Sequence, residues 1–307
     1  MSWFPPPERL PSRVFSSLPE NFRTKRTTPW ADANKAGQAI DSFLEGPSFD
    51  RAGNLYVTDI PHGRVFRIAR DGLWTLIATY DGWPNGLKIA SDGNAYITDY
   101  KCGLMRLDLA SGNVTPHYTH VRSESFKGLN DLIIAANDDI YFTDQGQTGM
   151  QDPSGRVYRL NRDGRIERLV DTAPSPNGIA LSRDEKWLYV AMTRACQIWR
   201  MPVSRDGIVG KANVFAHTPG GTSGPDGIAV DSEDGLLFAN PGHGCVWRLD
   251  RHGVPTHMVE SCAGRTITNI AFDPVEPTRL VFTDSDTGQI LEARLPIAGH
   301  LLSSHKT

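Results

Sequence analysis

Cysteine is scarce, with only Cys102, Cys196, Cys245 and Cys262 in a chain of 307 residues. None forms a CxxC pair, which excludes a disulfide scaffold and a cysteine zinc site. Free thiols, buried or half-buried, are therefore expected in a reducing compartment, and the expected location is cytoplasmic. No apolar run approaches the ~18 residues that a membrane span needs, and the prolines of MSWFPPPERLPSRVF interrupt any secretory h-region. An excess of one charge is also missing. The 32 basic and 35 acidic residues leave a net charge of −3, which gives no electrostatic reason to expect nucleic acid or an anionic membrane as a partner.

Turn formers, by contrast, are abundant. The chain has 29 glycines and 21 prolines, more than the usual share of roughly 12% but short of the 25–30% of a disordered composition. With 39% hydrophobic residues a large core is available, and the Gly and Pro must serve many short turns. A length prior of roughly 150 residues per domain gives two domains unless a repeat explains the size.

A repeat does explain it. One phrase recurs six times: a polar residue, an apolar stretch, a Gly/Asp/Asn turn, then a β-rich run that ends in Thr-Asp in its best copies. The clearest are EGPSFDRAGNLYVTD (45–59), NGLKIASDGNAYITD (85–99) and NDLIIAANDDIYFTD (130–144). Weaker copies are NGIALSRDEKWLYVAM (177–192), DGIAVDSEDGLLFAN (226–240) and TNIAFDPVEPTRLVFTD (268–284). Each is followed by a third β-like segment such as GRVFRI (63–68), GRVYRL (155–160) or CVWRLD (245–250), usually with a fourth after it. Four short strands per ~45 residues describe a propeller blade. The expected fold is all-β: one six-bladed β-propeller domain over 1–307, four antiparallel strands per blade, with the repeats at 45–296. The sixth copy lacks a fourth strand, so RVFSSLP (13–19) is expected to close the ring. Residues 20–44 then form an irregular crossing segment, and the ends, 1–10 and 299–307, are expected to be mobile.

In a blade the innermost strand lines the central channel, so its first residue sits at the channel mouth. Those residues are Glu45, Asn85, Asn130, Asn177, Asp226 and Thr268. Pro84-Asn85-Gly86, Pro176-Asn177-Gly178 and Pro225-Asp226-Gly227 also read as ordinary turns. Two facts weigh against that: each repeat already has a separate bottom turn, and Glu45 and Asn130 share the register without a turn signature. Two carboxylates and three amides converging on one point suit a hard cation. Ca²⁺ is the expected ion, taking six to eight oxygens at about 2.3–2.6 Å, while Mg²⁺, Mn²⁺ and Zn²⁺ stay open for the same cage. The repeated Arg67, Arg106, Arg159, Arg200 and Arg248 near third-strand ends read as blade architecture.

The phrases FLEGPSFD (43–50), GLND (128–131), SPNGIALS (175–182) and GPDGIAVD (224–231), in correct blade order, resemble the calcium-dependent propeller hydrolases that include gluconolactonase, regucalcin (senescence marker protein) and diisopropyl fluorophosphatase. The resemblance covers about 40–296 and implies Glu45, Asn130, Asn177 and Asp226 as metal ligands. It implies opening of a small-molecule lactone or related ester, the metal polarising the carbonyl and Asp226 activating water or attacking directly. Asn85 and Asn130 would position substrate, with Trp83, Tyr100 and Phe126 as further pocket residues and His243 as a reserve for proton transfer. Some sugar-lactonase members carry an arginine two residues before the third-blade asparagine; here Gly128 stands there, after Lys127. Together with Met192, those aromatics suggest a substrate less polar than a sugar acid. Two other readings stay open: organophosphate or phosphoester hydrolysis, or a biosynthetic isomerisation, on the same scaffold, and a non-catalytic receptor-like binding propeller, which LYVTD, AYITD and IYFTD also resemble.

Overall fold

A computed structural model describes residues 4–306 of the chain. Six antiparallel sheets stand around an axis, each with its first strand innermost. The inner strands are Leu44–Phe49, Pro84–Ile89, Leu129–Ile134, Pro176–Leu181, Ile228–Val230 and Ile267–Phe272. Each packs beside the inner strand of the next blade, and the sixth returns to the first. Among the described residues no helix is long and apolar enough to cross a membrane.

Strand periodicity accounts for the core. Side chains alternate across a strand, and each blade is sandwiched between two others, so its strands are apolar on both faces. In Leu55–Asp59, Leu55 and Val57 face the sixth blade with Val281 and Ile290. Tyr56 faces the second, with Leu87 and Ile97.

The threonine of the repeated Thr-Asp couples one blade to the next. Thr58, Thr98 and Thr143 are fully buried, and their hydroxyls donate to the backbone carbonyls of Asn85, Asn130 and Asn177 at 2.6, 2.6 and 2.7 Å. The later blades lack this arrangement and use other bonds. Thr193 donates to the Pro225 carbonyl (2.7 Å), the Gly227 amide to the Thr268 carbonyl (2.8 Å), and Thr268 and Ser285 close the ring on the Leu44 carbonyl (3.0 and 2.6 Å). The repeated arginines are tied to bottom turns where they are most buried, Arg159 to Asp139 and Arg248 to Asp231, each at 2.6 Å.

The Pro-Asn-Gly phrases are not turns. Residues 84–86 and 176–178 begin strands, and pairing with the second strand skips between Pro84 and Leu87 and between Pro176 and Ile179. The same slip follows Glu45, Leu129 and Ile267. Such bulges re-aim a side chain. They also bring neighbouring inner strands close: a Cβ on Gly46, which holds φ +55°, would lie 2.4 Å from the Asn85 carbonyl oxygen, and one on Gly178 2.3 Å from that of Asp226.

Ring closure follows the sequence expectation. Arg13–Ser17 pairs antiparallel with Gln289–Arg294, and Leu18 is buried after it. Three other expectations are corrected. The N-terminal end is not loose at residues 8–10: Glu8–Pro11 adds a fifth, parallel strand to blade five beside Pro255–Glu260. The C-terminal end docks under the channel, where the Ser304 carbonyl accepts from Arg51 Nε (2.7 Å) and the His305 ring bonds the Phe49 carbonyl (3.0 Å). His300, Leu302 and His305 close a small apolar cavity of about 60 Å³ there. Residues 1–3 and 307 of the expected mobile ends lie outside the described residues. The crossing segment is not wholly irregular either. Pro29–Asn34 is helical, begun by Pro29 at its first position and capped by the Thr28 hydroxyl accepting from Ala31 N at 3.1 Å. Six residues are too few to show helical periodicity; burial of Trp30 and Ala31 against Ile60, Phe43 and Trp83 holds the helix in place.

Thr143 tests the coupling between blades. Its oxygen also accepts from Asp131 N at 3.0 Å, so Thr143→Val leaves two buried backbone groups unpaired at about 1–3 kcal/mol each. The expected fall in Tm is on the order of 10 °C for a chain of this size. An unchanged melting curve would show that these bonds do not hold the ring.

Candidate active site

The top of the channel opens into a cup of about 410 Å³, and the six register-equivalent residues, Glu45, Asn85, Asn130, Asn177, Asp226 and Thr268, line it; five are the second residue of their inner strand, and Asp226 stands two residues before its own. In five blades a bulge falls at or beside this residue and re-aims it toward the axis, whereas Asp226 precedes the regularly paired strand Ile228–Val230. Glu45 is buried; its Oε2 accepts from its neighbour Gly46 N (2.8 Å) and from Asn269 Nδ2 (2.9 Å). Asn130 Nδ2 donates to Gln145 Oε1 (2.9 Å), and Gln145 Nε2 to Ser175 Oγ (2.9 Å). The Asn130 amide is thus held by its nitrogen, which leaves its oxygen as the acceptor end.

The floor is electrostatically unbalanced. Burial pushes the Glu45 carboxyl up to about 7, against the opposing bonds from Gly46 and Asn269. Asp226 is raised well above the usual carboxylate range, first by burial and then by the charges of Glu45 and Asp131. Of the named influences on Asp226, the attraction of Lys35 is the weakest. Asp131 is also raised by burial, partly offset by Lys88. Two carboxylates facing each other, with amide oxygens beside them, are the donor chemistry of a hard cation. Glu45, Asn130, Asn177 and Asp226 thus fit a divalent ion of the calcium type. Among the described residues no cluster of three or more His, Cys, Asp or Glu side chains forms a metal site, so this oxygen set is the candidate.

The wall comes from the crossing segment and the top loops. Trp30, Asn34 and Lys35 stand on one side, with Tyr100, Arg194, Thr222 and Ser223 around the rim. Residues 20–44 therefore contribute to the pocket. The Tyr100 hydroxyl accepts from Gln147 Nε2 at 2.8 Å. The other aromatic candidates lie elsewhere. Trp83 stands behind Tyr100, ring centroids 5.9 Å apart, in a groove with His62 and Lys101. Phe126 packs edge-on against Phe142 and Tyr158 in the core of blade three, and Met192 is buried in the core between blades three and four. His243 is exposed, bonds the Gly220 carbonyl at 2.5 Å and is not among the lining residues. The apolar pocket suggested by these side chains is replaced by a largely polar one.

Sequence reading missed Asp131, Asn269 and Lys35, whereas Gln145 and Arg194 belong to the loops after the second strands, on the face where function is expected. The first two had a signal: after the register-equivalent residue four blades carry Gly46, Gly86, Gly178 and Gly227, whereas blades three and six carry Asp131 and Asn269. Where a glycine gives way to a side chain at that crowded position, the side chain occupies the axis. Asn269 Nδ2 lies 3.5 Å from Asp131 Oδ2 while bonded to Glu45, so it spans the two acids. Lys35 lies outside the repeat and had no register to mark it.

The fold and floor define a class, a six-bladed propeller with an oxygen-donor site at one mouth of its channel. Comparison with known proteins places the chain within that class. A family model described as the SMP-30/Gluconolactonase/LRE-like region matches residues 43–286, and the chain belongs to this family. The lactonase drp35 of Staphylococcus aureus strain MRSA252 is 28% identical over 251 residues, 78% of this chain and 74% of that protein. A gluconolactonase from Xanthomonas campestris superposes with a TM-score of 0.74 at 25% identity, over 92% of this chain and 99% of that one. Regucalcin of Agrobacterium tumefaciens strain C58, described as a calcium-binding protein, gives a TM-score of 0.74 at 24% identity over 95% and 96%, a likeness of fold.

The raised Glu45 pKa predicts a pH dependence in chelator. Its folded value of about 7 exceeds the ordinary 4.5, so the native state binds the extra proton between these values and loses stability as pH rises through them. The stability of wild type relative to Glu45→Gln should therefore fall between about pH 4.5 and 7 in urea titrations, and a difference independent of pH would refute the assignment.

Proposed function

We propose that the protein is a divalent-cation-dependent lactonase, a carboxylic ester hydrolase that opens a small-molecule lactone, with Ca²⁺ as its ion. The observation that carries this reading is the meeting of Glu45, Asn130, Asn177 and Asp226 on the floor of one cup, in a chain of the gluconolactonase family. The Xanthomonas gluconolactonase and the staphylococcal lactonase support the reaction class, and regucalcin, described as calcium-binding, supports the ion. The free state of all four cysteines supports a reducing, cytoplasmic setting, although Cys262 is exposed where burial was expected.

When bound, the cation would supply Lewis acidity to the carbonyl oxygen and neutralise the two carboxylates. Glu45, held by Gly46 N and Asn269 Nδ2, acts as a fixed ligand, because both bonds go to one oxygen and tie the carboxylate in place. Asp226 is part-exposed to the cup, where its carboxylate can take a proton from water as that water attacks the carbonyl carbon. The ring carbon–oxygen bond then breaks, and the proton passes from Asp226 to the departing alkoxide, so that the carboxylate is regenerated. Asn85 and Tyr100 stand at the cup wall to orient the ring, and Trp30 of the crossing helix shields one side from water.

Turnover of a lactone panel tests this directly. Chelation should abolish hydrolysis and added Ca²⁺ restore it, while Asp226→Asn and Glu45→Gln should each lower kcat/KM by roughly 10²–10⁴. Full activity in chelator, or in both variants, would rule out the mechanism.

A further inference from the structure

The charges of the cup divide between its floor and its wall. The lining carboxylates, Glu45 and Asp226, lie on the floor, and the lining cations, Lys35 and Arg194, lie on the wall. Neither cation makes an ion pair among the described residues. The Lys35 ammonium lies 4.4 Å from the centroid of the Phe43 ring, half-buried, and the acids that act on it are Asp286 and Asp226. Asp286 is already engaged, accepting from Arg265 N (3.0 Å), Thr266 N (2.9 Å) and the Thr266 hydroxyl (2.5 Å). Burial holds the Lys35 pKa below its ordinary value, as for an ammonium with part of its water removed and no close counter-ion. Arg194 is exposed and has no hydrogen-bond or ionic partner among the described residues, yet its backbone is anchored. Thr193, beside it, donates from its hydroxyl to the Pro225 carbonyl (2.7 Å) and from its amide to Ser175 O (3.0 Å). In contrast, the buried arginines Arg159, Arg248 and Arg279 are all paired with carboxylates.

A divalent ion on the floor would neutralise Glu45 and Asp226, which leaves two unmatched positive charges on the wall of a cavity sized for one small molecule. A guanidinium pairs well with a planar carboxylate through two parallel bonds, and an ammonium adds a point charge. On the basis of the lactonase reading above, we infer that the substrate carries a carboxylate outside its lactone ring, gripped by Arg194 and Lys35 while the ring ester faces Glu45 and Asp226. Lys35 and Arg194 are then specificity-determining residues, and the crossing segment that delivers Lys35 is part of the recognition site.

The test uses a matched pair of unreactive probes, 3-oxocyclopentane-1-carboxylate and its carboxamide, with the Ca²⁺-loaded full chain. Calorimetric titration should show the acid binding about tenfold or more tightly than the amide. Arg194→Gln and Lys35→Gln should each reduce that preference severalfold, and Arg194→Lys should recover part of it. Equal affinity for the two probes, or a preference unchanged in both glutamine variants, would overturn the inference. Hydrolysis of the corresponding lactones, 5-oxotetrahydrofuran-3-carboxylate and its carboxamide, separates this inference from the lactonase reading. Turnover without acid preference removes carboxylate recognition and leaves the lactonase intact; preferential binding of the acid probe, with neither lactone opened, does the reverse.

Discussion

The hydroxyl that crosses from one blade to the next is the constraint on which the rest of the structure depends. Sheets in a propeller are joined to their neighbours by side-chain packing, which is non-directional and fixes distance better than height along the axis. The Thr58, Thr98 and Thr143 hydroxyls add direction, because each bonds one named carbonyl in the next blade. That carbonyl belongs to the residue whose side chain enters the cup. The relative height of Asn85, Asn130 and Asn177 is therefore set by the same bonds that couple the blades, and a binding floor assembled from five or six separate strands needs such a device. At Asp226 the bond shifts by one residue: the Thr193 hydroxyl donates to the carbonyl of the preceding Pro225 (2.7 Å), and Gly227 N donates to Thr268 O of the sixth blade (2.8 Å).

The two ends of the channel differ in chemistry for reasons visible in the chain. Below, the C-terminal segment brings Leu302 and two histidines against Ile133, Ile179 and Ile270, which closes the tunnel with apolar contact. Above, the axis carries carboxylates that burial and mutual repulsion hold in a costly state. Carboxylates kept close and dry destabilise the fold unless a partner arrives. A binding site is where such strain has a use, because a cation or substrate releases it on binding. The Asn269 bridge between Glu45 and Asp131 limits the conflict and keeps Glu45 oriented while the cup is open.

Much of this was legible in the sequence, and the part that was not follows a pattern. The repeat makes six residues equivalent, so finding the register of Glu45 also finds Asn85, Asn130, Asn177 and Asp226; their convergence needs only the symmetry of the ring. The closing strand was legible because the sixth copy lacked a fourth segment. Residues outside the repeat had no such frame. The helix that carries Trp30 to the pocket is too short for periodicity, and Lys35 follows directly after it. Arg194 sits in a loop register whose direction depends on an anchored turn. The aromatics Trp83 and Phe126 occupy top-loop positions, yet packing against Tyr100 in one case and Phe142 with Tyr158 in the other decides where their rings lie. The docking of both chain ends rests on contacts about 250 residues apart in sequence, such as Glu8 with His257 and Arg51 with Ser304, which no local pattern announces.

The central claim is that four residues from four blades form one cation site, and calcium binding measures it most directly. Isothermal titration of Ca²⁺ into chelator-treated, dialysed protein should give one ion per chain for wild type. The same titration of the Glu45→Gln/Asp226→Asn double variant, checked to be folded by circular dichroism, should give no saturable binding. Stoichiometric binding that survives in the double variant, or no binding to wild type, would contradict the account.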